Sequence, residues 1–420
     1  MFAAVLAVNR TGLPLGWSIV LSALGLTLWS GAGVPGLVFQ ASQFVAAENV
    51  LLLVVVLCLL YFTEALGASG RIERTIGALR ALLRRPSLLL AGLPALIGLL
   101  PMPGGALVSA PLVARVDPEN RLTPEHKVAL NYWFRHIWEY WWPLYPGVVL
   151  ALRYSGLPAP LFFGLQMPLT AAALAGGALF VLRKVPRWEA PAGTAGRLSG
   201  RDAGAALVPM GVLVLVSVVG APLLPMAGVS RTLANLAAML AGLVVALAMV
   251  CAAGPRALVQ ASGMLRSART WGMLLVVAGV QMFAAALKCP LTQSGETLVT
   301  RMAAEFLAAG IPVVAVMVIV PAVAGFVTGI AVGFVGVSFP LVFGLLGDAP
   351  TTAQLAATTM LAYASGYTGM MLSPIHICFV VTSEYFKLPS ILPAYRYLTG
   401  AAAVVFVCAL LLSGLYLVAL

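Results

Sequence analysis

Residues 132–147 read YWFRHIWEYWWPLYPG and place Arg135, His136 and Glu139 inside an otherwise apolar run. Asn131, Arg135 and Glu139 fall at i, i+4 and i+8, so a continuous helix would carry them on one face. An arginine there can hold an anionic group, and a glutamate beside it can take up a coupling proton. The plainer alternative is an internal Arg135–Glu139 ion pair that only neutralises two costly charges. His136 lies about 100° further round the helix and suits a proton relay or an ordinary hydrogen bond.

Residues 366–380, GYTGMMLSPIHICFV, form a second interrupted run. His376 sits inside its break, and Tyr145 is the matching residue in the first run. Tyr363, Ser365, Tyr367, Thr368 and Ser373 supply uncharged hydroxyls, as do Ser109, Thr328 and Ser338 near two glycine-rich turns. Together they suit an oxyanion or a sodium ion, and singly each is an ordinary packing hydroxyl. Trp133, Trp138, Trp141 and Trp142 read as packing or an interfacial belt.

These groups must be held by membrane helices. The 420 residues are 61% hydrophobic and 9% charged, with a mean hydropathy of +1.03, where soluble domains are about 25% charged. Apolar segments of about 18 residues or more recur along the chain, each able to cross a core of roughly 30 Å. The alternating strands of a β-barrel are missing from the pattern. A net charge of +11 fits basic loops that orient an inner-membrane protein better than a nucleic-acid partner. The five cysteines lack metal-ligand spacing and read as free, buried thiols. The opening MFAAVLAVNR predicts no cleaved signal peptide, with the first span as its own signal anchor.

Spans are expected near 13–31, 50–67, 126–155, 159–182, 204–224, 231–252, 271–288, 358–386 and 391–419. Segments 88–114 and 311–347 carry PMPGG and TGIAVG at their middles, where glycine and proline break a helix. Each flank of about 12 residues reaches roughly 18 Å, so both read as re-entrant hairpins. Segments 70–85 and 294–310 are amphipathic and read as interfacial helices. Nine crossings that start in the cytoplasm place 19 of the 24 basic residues inside, predicting a cytoplasmic N-terminus and an outer C-terminus.

The halves repeat. LVFQAS (37–42) pairs with ALVQAS (257–262), LPALIGL (93–99) with VPAVAGF (320–326), and SAPLV (109–113) with SFPLV (338–342). Residues 129–158 then lie on 360–389 without a gap. The offset grows steadily from 220 to 227, 229 and 231, as small loop insertions would make it. Four crossings per half and one connecting span turn the second half over, so the two hairpin tips meet near the midplane. Inverted repeats with broken helices there mark secondary transporters.

The expected domains are a first repeat over 1–183 (scaffold 13–67, interfacial helix 70–85, hairpin 88–114, broken span 126–155, span 159–182), a basic linker and connecting span over 184–230, and a second repeat over 231–420 (scaffold 231–288, interfacial helix 294–310, hairpin 311–347, broken span 358–386, span 391–419). Pro143 and Pro146 should unwind the first broken span near PLYPG, freeing carbonyls for ions and helix N-termini for anions. Arg85–Pro86 and Ala309–Pro312 are the expected hinges.

PMPGGALVSAPLV, NYWFRHIWEYWWPLYPG and GYTGMMLSPIHICFVVTSEYF resemble the domain-of-unknown-function 401 family of prokaryotic integral membrane proteins. That family is grouped with the ion transporter superfamily, alongside sodium–dicarboxylate symporters, aminobenzoyl-glutamate transporters, gluconate permeases and arsenite exporters. The resemblance implies inverted repeats, two hairpins, a static scaffold and a transport domain moving like an elevator in a homodimer. The Ser-Asn-Thr tip of the sodium–dicarboxylate members is replaced here by PMPGG and VTGIAVG.

The expectation is therefore an all-α polytopic membrane protein that carries a small anionic organic solute across the inner membrane, coupled to protons or sodium. A channel, or an inorganic-ion exporter or antiporter, is the alternative. No enzyme motif stands out, and no cofactor or nucleic-acid partner is expected. The substrate site is expected at Arg135, Asn131, Gly104, Gly105, Ser109, Thr328, Gly329, Tyr145, Ser373, His376 and Tyr367. Ion coupling is expected at Glu139, His136, His376 and Thr368. No metal site is expected, although sodium could sit at the hairpin tips.

Overall fold

The computed structural model describes residues 13–83, 85–100, 105–188, 204–291, 295–347 and 349–420. The described residues fold into helices; their only β feature is an isolated bridge between Pro290 and Thr297. Among the described residues, five helices are long and apolar enough to cross a membrane: Ala47–Ala68, Ala159–Lys184, Arg231–Ala252, Ala268–Lys288 and Leu392–Ala419. The chain is a polytopic α-helical membrane protein.

The first half opens with α1 (Leu15–Trp29), α2 (Gly33–Phe44) and α3 (Ala47–Ala68). The amphipathic α4 (Arg71–Leu82) leads into α5 (Pro86–Gly98) and α6 (Ala106–Val116), the two arms of the first expected hairpin. The first broken span is α7 (Pro124–Arg135) and α8 (Pro146–Ser155), followed by α9 (Ala159–Phe180). After the connecting α10 (Leu207–Gly220), the second half runs α11 (Arg231–Ala253), α12 (Arg256–Ala261) and α13 (Ala268–Lys288). The amphipathic α14 (Leu298–Ala308) precedes the hairpin arms α15 (Val313–Thr328) and α16 (Ala331–Gly344). The second broken span is α17 (Thr352–Met371) and α18 (Ile377–Tyr385), and α19 (Tyr395–Ala419) closes the chain.

Three readings of the sequence need correction. Helices α1 and α10, expected as full crossings, have 15 and 14 residues, about 22 and 21 Å of helix, short of a core of roughly 30 Å. The segment around 37–42 forms a helix of its own, α2, and its counterpart around 257–262 forms α12; their shortness hid them. Cys58, Cys251 and Cys408 are half-buried, leaving Cys289 and Cys378 as the buried thiols, although all five are free.

The hairpins and broken spans pack in a crossed pattern. The first arm of each hairpin lies on the first half of its own broken span, α5 on α7 and α15 on α17. The second arm lies on the far half of the other broken span, α6 on α18 and α16 on α8. The contacts are close enough to require glycine. A Cβ at Gly98 would collide with the backbone carbonyl of Arg135, and a Cβ at Gly325 with that of Gly366. In the repeat alignment Gly98 pairs with Gly325 and Arg135 with Gly366, so one helix crossing occurs twice. Around this group, α13 packs on α1 and α3, and α11 on α3 and α10.

Asp117, in the loop before α7, stabilises that entrance. Its carboxylate accepts the backbone N–H groups of Arg121 and Leu122, each at 2.9 Å, and lies 3.0 Å from the buried Lys127 ammonium. Burial pushes the Asp117 carboxyl up, but those backbone bonds and Lys127 outweigh it and hold it below its ordinary value.

Candidate functional site

The first broken span unwinds earlier than its prolines predict. Helix α7 ends at Arg135, and residues 136–145 run as successive turns. Glu139 therefore does not share a continuous helix face with Asn131 and Arg135. The matching second half-helix, α17, continues to Met371 before a break of only five residues. The difference is tertiary. The four indoles bond outward, Trp133 to the Ala173 carbonyl, Trp138 to Ala95, Trp142 to Leu99 and Trp141 to the Thr170 hydroxyl, at 2.8–3.0 Å. The tryptophans are thus packing anchors that hold the turns open.

Carbonyls released by the breaks are satisfied by protein hydroxyls rather than left for ions. Tyr367 donates to His136 O and Tyr363 to Glu139 O, both at 2.5 Å. Thr170 donates to Ile137 O at 2.6 Å. In return Tyr132 of the first span donates to Met371 O at 3.1 Å. Each broken span thus supplies the hydrogen bonds that the other lost, as buried backbone groups demand.

What remains is a cavity of about 130 Å³ lined by Arg135, His136, Glu139, Tyr145, His376 and Cys378. Pro146, Gly147, Ile330, Ala331, Val332, Ile377 and Met370 complete its wall on the hairpin side, and Leu60 of α3 and Met273 of α13 face it from the other. Arg135, His136, Glu139 and His376 are 3%, 2%, 7% and 5% exposed. Gly105 lies against the Arg135 guanidinium, where any Cβ would overlap it. Gly329, in the left-handed region at φ +62°, lies against the backbone of His376. Both hairpin turns therefore reach this one site.

His136 Nδ1 lies 2.6 Å from the Tyr132 carbonyl, which can only accept, so this nitrogen carries a proton. In the neutral ring Nε2 is then an acceptor, and the His376 Nε2–H at 3.1 Å supplies the donor. This leaves His376 Nδ1 as a buried acceptor without a partner among the described residues. Glu139 Oε1 lies 3.8 Å from His136 Nε2, and its carboxylate is within hydrogen-bond reach of Tyr145. The one proton of the Tyr145 hydroxyl is donated to the Gly98 carbonyl.

The remaining expected residues are placed elsewhere. Asn131 donates to the Thr382 hydroxyl at 3.0 Å, tying α7 to α18. Ser109 and Thr328 bond back to carbonyls of their own helices. Ser373 donates to Phe326 O at 2.6 Å, and the Tyr367 hydroxyl is engaged by His136 O. Thr368 does not line the cavity, and Gly104 lies outside the described residues. The sequence reading overlooked Cys378, Gly147 and residues 330–332, although Cys378 follows His376 by two positions and Gly147 ends PLYPG. Nothing in the sequence marks Leu60 or Met273.

His136, His376 and Cys378 offer ligand atoms within 4.8 Å of one another, a spacing that a metal could bridge. The chemistry of the surroundings opposes it. The Arg135 guanidinium lies within hydrogen-bond reach of Cys378, so a metal cation would face a fixed positive charge in a low-dielectric site.

The electrostatics favour the opposite sign. The N-terminal residues of three helices line the cavity, Pro146 of α8, Ala331 of α16 and Ile377 of α18, and Gly105, just before α6, lies against the Arg135 guanidinium. Each helix N-terminus carries roughly half a positive charge. With Arg135 they outweigh the single carboxylate of Glu139.

A family model described as Protein of unknown function (DUF401) matches residues 4–418. No curated protein matches the chain.

Proposed function

The chain belongs to the DUF401 family, and from that premise we propose that it is a secondary active transporter of a small anionic solute. The observation that carries this reading is the convergence of three helix N-termini and the Arg135 guanidinium on one cavity. Helix N-termini and arginine together make an anion site. At about 130 Å³ the cavity is close to the engineered cavity of roughly 150 Å³ that takes benzene. A solute of about six heavy atoms, such as a short-chain carboxylate, fits it. An inorganic oxyanion fits the same volume and charge and is the second reading.

The crossed packing of hairpins and broken spans, with matching glycines at Gly98 and Gly325, supports two oppositely inserted repeats. The cavity wall supports an elevator: Leu60 and Met273 come from helices expected to be static, and the rest from hairpins and broken spans expected to move. Glu139 and the histidine pair support proton coupling. A proton added to the neutral pair has one open position, His376 Nδ1, beside the cavity. On this reading the protein lies in the inner membrane as a homodimer, N-terminus inside and C-terminus outside.

Purified protein in liposomes should give saturable counterflow with one or more members of a panel of carboxylates, sulfonates, phosphates and inorganic oxyanions. Arg135→Ala should lower uptake of the best substrate by at least about 100-fold, the loss of one charge-assisted buried contact. Intact uptake in that variant would remove the anion site from Arg135. Flux that never saturates would replace the transporter with a channel.

A further inference from the structure

A second polar concavity shares no lining residue with the cavity at Arg135. It measures about 640 Å³ and is lined by Arg85, Arg183 and Arg187, with Ser87 and Trp188. Among the described residues its lining holds no carboxylate, and none of the three arginines forms an ion pair. Three guanidiniums around one hollow repel one another unless an anion joins them. The hollow is also shaped by fixed parts. The Trp188 indole donates to the Val116 carbonyl at 3.4 Å, and the Arg121 guanidinium sits 5.6 Å above its ring. Arg85 is the N-cap residue of α5, and Pro86 and Ser87 that follow it line the hollow as well, so the start of that helix borders it.

The surroundings indicate the kind of anion. Ala178 and Leu182 continue the hollow along α9, where Leu174, Leu179 and Phe180 are exposed, and Leu88 of α5 is exposed opposite. In a membrane these apolar side chains face acyl chains. An arginine-lined hollow at the head of an apolar groove matches a phosphate group with hydrocarbon attached.

We infer that this hollow binds the phosphate headgroup of an anionic phospholipid, with its acyl chains lying along α9. The lipid would tie the base of the first hairpin, at Arg85–Pro86, to the end of α9.

The test uses the full-length protein in detergent and reads its thermal midpoint. Dioleoylphosphatidylglycerol should raise the midpoint by about 4 °C, and dioleoylphosphatidylcholine should not. The Arg85→Gln/Arg183→Gln/Arg187→Gln variant should lose the shift, while Arg256→Gln/Arg266→Gln, which removes two exposed arginines elsewhere, should keep it. Should the triple variant fail to fold, Arg183→Gln and Arg187→Gln alone should each raise the half-saturating lipid concentration about fivefold. Equal shifts with both lipids, or a full shift in the triple variant, would overturn the site. An equal shift with millimolar inorganic phosphate would overturn the lipid and leave a soluble phosphate as the occupant.

Discussion

Arg135 ends α7 and Glu139 lies in the turn-rich break that follows, and the two face different partners. Arg135 rests on Gly105 within hydrogen-bond reach of Cys378, whereas Glu139 looks toward His136 and Tyr145. The two roles should therefore separate. In Glu139→Gln, counterflow should persist while uptake driven by an imposed pH gradient falls to the ungraded level. Unchanged driving would take coupling away from Glu139. Asp117 gives a prediction about stability. Its carboxyl is held below its ordinary value in the folded protein, so its contribution is complete above about pH 4. That contribution is lost as pH falls through the lower, folded value. Asp117→Asn should cost on the order of 2 kcal/mol at neutral pH by removing the charge opposite the Lys127 ammonium, which keeps the Asn120 side-chain oxygen at 2.7 Å. The variant's midpoint should also respond less to acid than that of the parent, which melting curves from pH 7 to pH 3 would check.

At the level of elements, glycine decides how closely the helices cross. Gly98→Ala and Gly325→Ala each drive a methyl into a backbone carbonyl, which cannot swing aside as a side chain can. Each should cost at least about 2 kcal/mol. Gly211→Ala, with nothing within 4 Å of the new methyl, should be neutral or slightly stabilising because alanine favours helix. Thermal midpoints of the three variants check this, and equal behaviour would count against the crossed packing. The breaks follow the same logic of compensation. Tyr363 and Tyr367 cap carbonyls in the first break, and Tyr132 caps one in the second. The two breaks exchange hydrogen bonds, so the two broken spans pack as a single unit.

Across the whole molecule, the proposed motion slides that unit past α3 and α13. Leu60 and Ile330 face one cavity from opposite sides of the proposed boundary. With the native cysteines replaced, Leu60→Cys/Ile330→Cys joined by a short bifunctional thiol reagent should arrest uptake, and thiol reduction of a cleavable linker should restore it. Uptake that continues through the cross-link would mean that these walls do not move apart. The charge pattern acts at this scale too. Most basic residues lie in segments expected on one side, and the arginine hollow at α5 and α9 belongs to that group.

The sequence by itself determined the solvent and the parts. Runs of apolar residues long enough for a bilayer, proline and glycine at segment centres, and a steadily growing repeat offset led to the hairpins and the broken spans, because local backbone chemistry and hydropathy act within a few turns. Arg135, Glu139, Tyr145 and His376 were legible as site residues because charge and ring nitrogen are conspicuous in greasy sequence. Only the tertiary structure decided where the first break begins, since Trp138, Trp141 and Trp142 and two tyrosines from 224 and 231 residues away hold it. It also assigned the Tyr367 and Ser373 hydroxyls to backbone carbonyls, joined His136 to His376 across 240 residues, and brought three helix N-termini to one cavity. These are contacts between segments far apart in the chain, and their geometry is set by packing that no local pattern records.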